Sequence, residues 1–263
     1  MLLQNSCEQY RANFKTALIF ALLLVFVPVF NLFQNIYSTS GTIFLDYGLL
    51  LAPPEILGME VLLVALFLLF YSFFVSIIVF SVRKNLSKLK LQVYLHEMIQ
   101  KFALRVFVFY VVYSLLLFLL VSGLLTLGFG IFPISLAIFV ISFLLMFVPQ
   151  AVVIDEEGLR HAVSSNFEFL FHFPKSFATI LVVGAILVAL LQIVEFGLSF
   201  FTVFSQYFSI LISLVFIVPF LEIMKTYQYM MRFELIKHHE AARRKKPLSP
   251  RFEPDSLANA PKP

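Results

Sequence analysis

Long apolar runs separated by short polar stretches recur six times along this chain. A bilayer core about 30 Å thick takes about 20 residues of helix at about 1.5 Å each. Six runs reach that length, at about 14–33, 60–82, 104–127, 130–153, 175–200 and 206–231. Each is predicted to be helical, because lipid supplies no partner for an unsatisfied backbone N–H or C=O. Little more than Gly128-Phe129-Gly130 separates the third run from the fourth, which calls for an antiparallel hairpin. The first run follows Arg11 and Lys15 as a secretory signal would, but it exceeds the roughly 7–15 residues of such a core and ends Asn31-Leu32-Phe33-Gln34 without a small-residue cleavage pattern. An uncleaved first helix is expected.

The stretches ahead of each predicted hairpin are amphipathic. Leu3, Cys7, Tyr10 and Phe14 share one helical face; Leu91, Tyr94, Leu95, Met98 and Phe102 share another. After 153, Asp155 stands where it can cap a helix whose first turn carries Glu156 and Glu157. Leu159, Ala162, Val163, Phe167, Leu170 and Phe171 then form an apolar face opposite Arg160, His161, Ser164, Ser165 and Glu168. Such helices are too polar to span and are expected in the headgroup layer with the apolar side down. The predicted fold class is therefore all-α: a polytopic integral membrane protein with six transmembrane helices in three hairpins, each preceded by a cytoplasmic interfacial amphipathic helix. Residues 1–246 form the membrane domain. The sixth helix is expected to run on through Phe233 to Arg244, and 247–263, with five prolines, forms a disordered tail.

Charge orients this pattern. All 19 Lys and Arg fall in four stretches: Arg11 and Lys15; Arg83 to Arg105; Arg160 and Lys175; and Lys225 onward. Lys and Arg beside a span stay on the cytoplasmic side, so both termini are expected there, in the cell membrane. Asp46, Glu55 and Glu60 are the charges assigned to the outer connections. With 61% hydrophobic and only 13% charged residues the chain lies outside the soluble range. The net charge of +4 sits beside spans, where it suits anionic headgroups and not nucleic acid. The cluster Arg243-Arg244-Lys245-Lys246 is read mainly as a topology anchor.

Chemistry is sparse. The lone Cys7 excludes an intramolecular disulfide framework, and none of the P-loop, G-x-S-x-G, H-E-x-x-H or CxxC patterns is present. His96, His161, His172, His238 and His239 are scattered along the cytoplasmic side, so no metal site, cofactor or catalytic residue is assigned. Polar groups inside spans are the functional candidates, because their burial in lipid is costly. They are Gln192 and Glu195 near the outer end of the fifth span, and Glu222 and Lys225 three residues apart near the inner end of the sixth. Pro28, Pro149 and Pro219 interrupt spans; Pro219 frees the carbonyl of Val215, where a hinge or ion-binding notch is conceivable. The 34 phenylalanines are read as lipid-facing and inter-helix packing.

The stretch Val148-Pro149-Gln150-Ala151-Val152-Val153-Ile154-Asp155-Glu156-Glu157-Gly158-Leu159-Arg160-His161-Ala162-Val163 resembles a recurring signature of poorly characterised prokaryotic six-span membrane proteins. That group is similar to the membrane domain fused to some glycerophosphodiester phosphodiesterases; no phosphodiesterase catalytic domain is found in this chain. The pattern usually has a hydroxyl residue four after the alanine, where this chain has Asn166 beside Ser165. The resemblance implies the six-span layout and no catalytic residue. The leading expectation is a non-catalytic membrane scaffold, or a protein of envelope or lipid homeostasis, that organises the inner leaflet. The alternative is a transporter or permease subunit of an export system, partnered by a cytoplasmic ATPase or by itself.

Overall fold

The computed structural model of the chain describes residues 2–33, 36–39, 42–45, 53–87, 98–201 and 205–232. These are overwhelmingly helical. Helix α1 (Leu2–Ala12) meets α2 (Phe14–Phe30) at a 77° bend; then follow α3 (Pro54–Ser87), α4 (Ile99–Thr126), α5 (Ile131–Ile154), α6 (Leu159–His172), α7 (Pro174–Ser199) and α8 (Ser205–Met230). Helices α3, α4, α5, α7 and α8 are long and apolar enough to cross a membrane, and α1 with α2 makes a sixth candidate if the bent pair is one span. A short antiparallel hairpin, β1 (Ile36–Thr39) with β2 (Thr42–Leu45), pairs Ile36 with Leu45 and Thr39 with Thr42 between α2 and α3.

The helices depart from ideal geometry at definable places. In α2 the stretch Leu18–Val25 is 3₁₀. At about 2.0 Å per residue there and about 1.5 Å in the flanking turns, α2 reaches about 30 Å, so a short segment still matches a bilayer core. In α8 the stretch Ser213–Ile217 widens into a π-turn just before Pro219. Pro219 has no N–H to offer the carbonyl of Val215. That carbonyl is reached instead by the Tyr10 hydroxyl of α1, which donates to it at 3.2 Å. The freed group expected from the sequence is thus closed by a side chain and does not stand as an open notch.

Pro149 breaks α5 in the same way. Around Leu145–Phe147 the ladder shifts, with the Val148 N–H turning to the carbonyl of Leu145. Asn166 of α6 fills the gap: its amide donates to the Leu144 carbonyl at 2.6 Å and its oxygen accepts the Phe147 N–H at 3.0 Å. Polar side chains thus stand at both breaks, Asn166 beside Pro149 and Tyr10 beside Pro219. Where α4 ends, Gly128 takes φ +77°, and the Phe129 N–H reaches back to the Leu124 carbonyl at 3.0 Å, a left-handed helix stop that suits glycine.

The core centres on α3, α5 and α8. Val75, Ile78, Val79 and Val82 of α3, Ala151, Val152 and Val153 of α5, and Ile223, Met224 and Tyr229 of α8 are fully or almost fully buried. Aromatic rings stitch the helices edge to face, as in Phe26–Phe67 at 5.7 Å and Tyr71–Tyr110 at 5.2 Å. Phe132, Phe196 and Phe201 are exposed on the outside of the bundle. The two described amphipathic helices present faces that differ in detail from the sequence reading. In α1, Ser6 turns inward while Leu3 and Cys7 remain outside, and at the bend Asn13 is buried and Phe14 exposed. In α6, Asn166 and Phe169 join Ala162 and Leu170 on the buried face, and Phe171 is exposed. The central part of the second amphipathic stretch, 88–97, and everything from Phe233 onward lie outside the described residues.

Candidate functional site

The four sequence candidates separate into two places. Gln192 is exposed on α7 and Glu195 is half-buried four residues before that helix ends. Glu222 lies 17 residues into α8, about 25 Å along it, so some 20 Å of helix axis divides the two acids. Glu222 and Lys225, three residues apart on α8, form an ion pair. Lys225 Nζ donates to Glu222 Oε1 at 2.5 Å, and the side chains are only 14% and 5% exposed.

This pair is the centre of a wider polar site drawn from four helices. Gln150 of α5, fully buried, donates from Nε2 to Glu222 Oε2 at 2.7 Å. Glu222 and Lys225 line a cavity of about 190 Å³ together with Tyr71 of α3, Tyr110 and Tyr113 of α4, and Ser142 of α5. The Tyr71 and Tyr110 rings meet edge to face at 5.2 Å, and Tyr113 meets Ser142 Oγ at 2.5 Å. Ser142 itself donates to the Ile138 carbonyl at 2.7 Å, so the Tyr113 proton is committed to Ser142. The break in α5 places Leu145, Met146 and Pro149 on the cavity wall. Gln150, Tyr71, Tyr110, Tyr113 and Ser142 were not candidates from sequence. A tyrosine or serine in an apolar run gives no periodic signal, and only the packing of α3, α4 and α5 on α8 brings them together.

A second polar cluster closes the bundle at the C-terminal end of α8. The turn Asp155-Glu156-Glu157 does not cap α6. Asp155 instead ends the α5 helix, Gly158 occupies the N-cap of α6, and no side chain caps it. The reason is that the carboxylates have stronger partners on other helices. Asp155 accepts from Arg232 at 2.6 Å and from the Tyr229 hydroxyl at 2.5 Å, with the guanidinium 4.4 Å over the Tyr229 ring. Glu156, held in the left-handed region at φ 59°, accepts from Arg83 at 3.0 Å and from Lys101 at 2.8 Å. Arg105 donates to the backbone carbonyls of Glu156 and Glu157, at 3.4 and 3.2 Å. One acidic turn therefore ties α3, α4 and α8 to the end of α5. The hydrogen bond from Lys101, assisted by Arg83, holds the Glu156 carboxyl below the usual glutamate range against the opposing effect of burial.

One further sequence reading changes. Glu60, assigned to an outer connection, lies inside α3 and is fully buried beside an apolar cavity of about 330 Å³ between α3 and α4. His161 and His172 are exposed, and among the described residues no group of three His, Cys, Asp or Glu side chains is placed to hold a metal ion.

Comparison with protein-family models, with curated proteins and with solved structures finds no match for this chain.

Proposed function

We propose that the chain is a six-span protein of the cell membrane with both termini cytoplasmic, and that it binds and carries a small polar solute at the Glu222–Lys225 cavity. This is the transporter or permease side of the two sequence expectations. The observation that carries it is a charged pair on the wall of a cavity about 12 Å before the end of α8 at Met230, well inside the thickness of a bilayer core. Ionisable side chains at such depth are costly, and replacing a buried pair by apolar residues is often neutral or stabilising, so packing alone gives little reason to keep one. The proposed activity makes and breaks no covalent bond, and the protein is not an enzyme.

The scaffold reading has a specific support too. The ion-paired turn at Asp155–Glu157 makes a braced face, and the exposed Arg11, Lys15, Lys84, Arg160 and Lys175 suit the anionic headgroups expected at the inner leaflet. Both readings share the six-span layout of three hairpins with interfacial α1 and α6. Reporter fusions after residues 45, 129 and 203 are expected to behave as external, and fusions after 90, 165 and 245 as internal; the inverted pattern would overturn the topology. The carrier reading is tested by Met146→Cys in a Cys7→Ser chain. A small water-borne thiol reagent is expected to modify it in native membranes, and absence of modification, with full reaction after denaturation, would overturn it.

A further inference from the structure

The polar groups of the cavity have an imbalance that identifies what it accepts. Glu222 is already served at both oxygens, Oε1 by Lys225 and Oε2 by Gln150. Lys225 is not: its ammonium carries three N–H donors, and one bond is made to Glu222, leaving two without an acceptor among the described residues. The cavity-lining Tyr71 and Tyr110 each carry a phenol O–H as a further donor. The N–H and O–H groups left to donate at the cavity thus stand beside a cation. A cationic solute would meet a carboxylate already bound twice and an ammonium that repels it.

We propose that this cavity binds a small monoanion of carboxylate type, and that each anion enters with one proton, which Glu222 takes up. The proposal rests on the carrier reading and adds the solute class and its coupling. Glu222 and Lys225 together are neutral, and an anion bound beside them would leave one uncompensated negative charge inside the membrane, which is strongly disfavoured. A proton from solution converts the Glu222 carboxylate to a carboxylic acid; Lys225 stays an ammonium, and its ion pair passes from Glu222 to the incoming anion. Charge and protons then balance, with two neutral pairs and no bond broken except hydrogen bonds.

A second observation points to the protonated state independently. Gln150 Oε1 is buried and accepts no hydrogen bond, although Gln150 Nε2 is bonded to Glu222. The amide cannot be turned over to relieve this, since its oxygen would then face the carboxylate. A proton on Glu222 supplies the missing donor, and acid and amide can close into a doubly hydrogen-bonded pair after a small rotation. The other titratable groups facing Glu222 are Tyr71 of α3 and Tyr110 of α4, with Tyr113 across the cavity. Helix α1 brings Tyr10 to the Val215 carbonyl, and α7 packs the uncharged Gly184 against Leu221. Size is set by the cavity. About 190 Å³ is far above the roughly 15 Å³ one water needs and below the roughly 300 Å³ where drug-sized sites begin, which suits acetate or lactate and excludes an acyl chain.

The test is isothermal titration of the purified full-length protein in lipid nanodiscs with acetate, in buffers of different ionisation heat. Wild type is expected to take up about one proton per acetate, with affinity rising about tenfold from about pH 7.5 to about pH 6.5. Glu222→Gln, which mimics the protonated acid, is expected to bind acetate without proton uptake and without pH dependence. Lys225→Gln is expected to lose at least about tenfold in affinity. The wild-type proton count needs no variant to fold. Acetate binding without proton uptake, or saturable binding of methylammonium in place of acetate, would overturn the proposal. If Met146→Cys is reached from water but acetate does not bind, the anion assignment falls and the carrier reading stands; if it is not reached, both fall.

Discussion

Replacing Asn166 with leucine should destabilise the bundle by an amount that Pro149 sets. Asn166 is fully buried and is the partner of two main-chain groups stranded by the broken turn, the Leu144 carbonyl at 2.6 Å and the Phe147 N–H at 3.0 Å. Leucine fills a similar volume but satisfies neither. A buried polar group deprived of its partner costs about 1–3 kcal/mol, so the pair predicts a loss of about 2–6 kcal/mol. The lower half of that range is favoured, because the α5 ladder can partly re-form by local relaxation. The cost should depend on the break itself. With Pro149→Ala the missing N–H is restored, α5 can run straight, and the two stranded groups can find each other's turn. Asn166→Leu is therefore predicted to cost at least about 1 kcal/mol less in the Pro149→Ala background than alone, a coupling that a double-mutant cycle reads directly. SDS-titrated unfolding followed by far-UV circular dichroism supplies the four free energies. Asn166→Leu within about 0.5 kcal/mol of wild type, or strict additivity with Pro149→Ala, would refute the reasoning.

The acidic turn yields two predictions. Asp155→Asn leaves Arg232 without its carboxylate and weakens the bond from Tyr229; Asp155 is 7% exposed and Arg232 22%, so the guanidinium can partly reach water and the expected loss is about 2–3 kcal/mol in the same titration. For Glu156 the folded carboxyl titrates below its ordinary value, so its stabilisation is present above the unfolded value and is lost as pH falls through the folded one. The gap in unfolding midpoint between wild type and Glu156→Gln should accordingly be largest near neutral pH and close in acid; a gap independent of pH contradicts it. Tyr10→Phe removes the donor to the Val215 carbonyl and should cost about 1 kcal/mol in unfolding, with no change expected for Phe171→Ala on the exposed side of α6. Gln192→Leu and Glu195→Gln, both remote from the cavity, should leave acetate titration unchanged, and a loss there would move the site to α7.

How much of this was readable beforehand depended on the range of the interaction. Spans are set by hydropathy over contiguous residues, and the helices Ile131–Ile154 and Pro174–Ser199 fall within a residue of their expected limits. The α3 helix runs further at both ends than the 60–82 stretch, because Pro54 can start a helix and Arg83 to Ser87 carry it on under the grip of Glu156 on Arg83. The Glu222–Lys225 pair was legible because two charges three residues apart in an apolar run are conspicuous and local. Its other partners were not. Gln150 lies 72 residues from Glu222 in the chain, and it stood inside a stretch singled out for a different reason. Asp155 shows the same limit from the other side. Read locally it is a helix cap, but its partner Arg232 is 77 residues away, and a charge-assisted bond to a guanidinium outweighs a neutral cap. Asn166 stood out only as a departure from a hydroxyl pattern; its task became visible once the break caused by Pro149 had a place in space.

The central claim is that a charged pair inside the bundle faces a space that water can enter. Single cysteines at Met146, on the cavity wall, and at Val152, six residues along in the packed core at 0% exposure, can be compared in the Cys7→Ser chain within intact membranes. The account predicts that a small water-borne thiol reagent modifies position 146 at least about tenfold faster than position 152, as an open polar cavity beside a close-packed interior requires. Equal and negligible rates at both positions would contradict it.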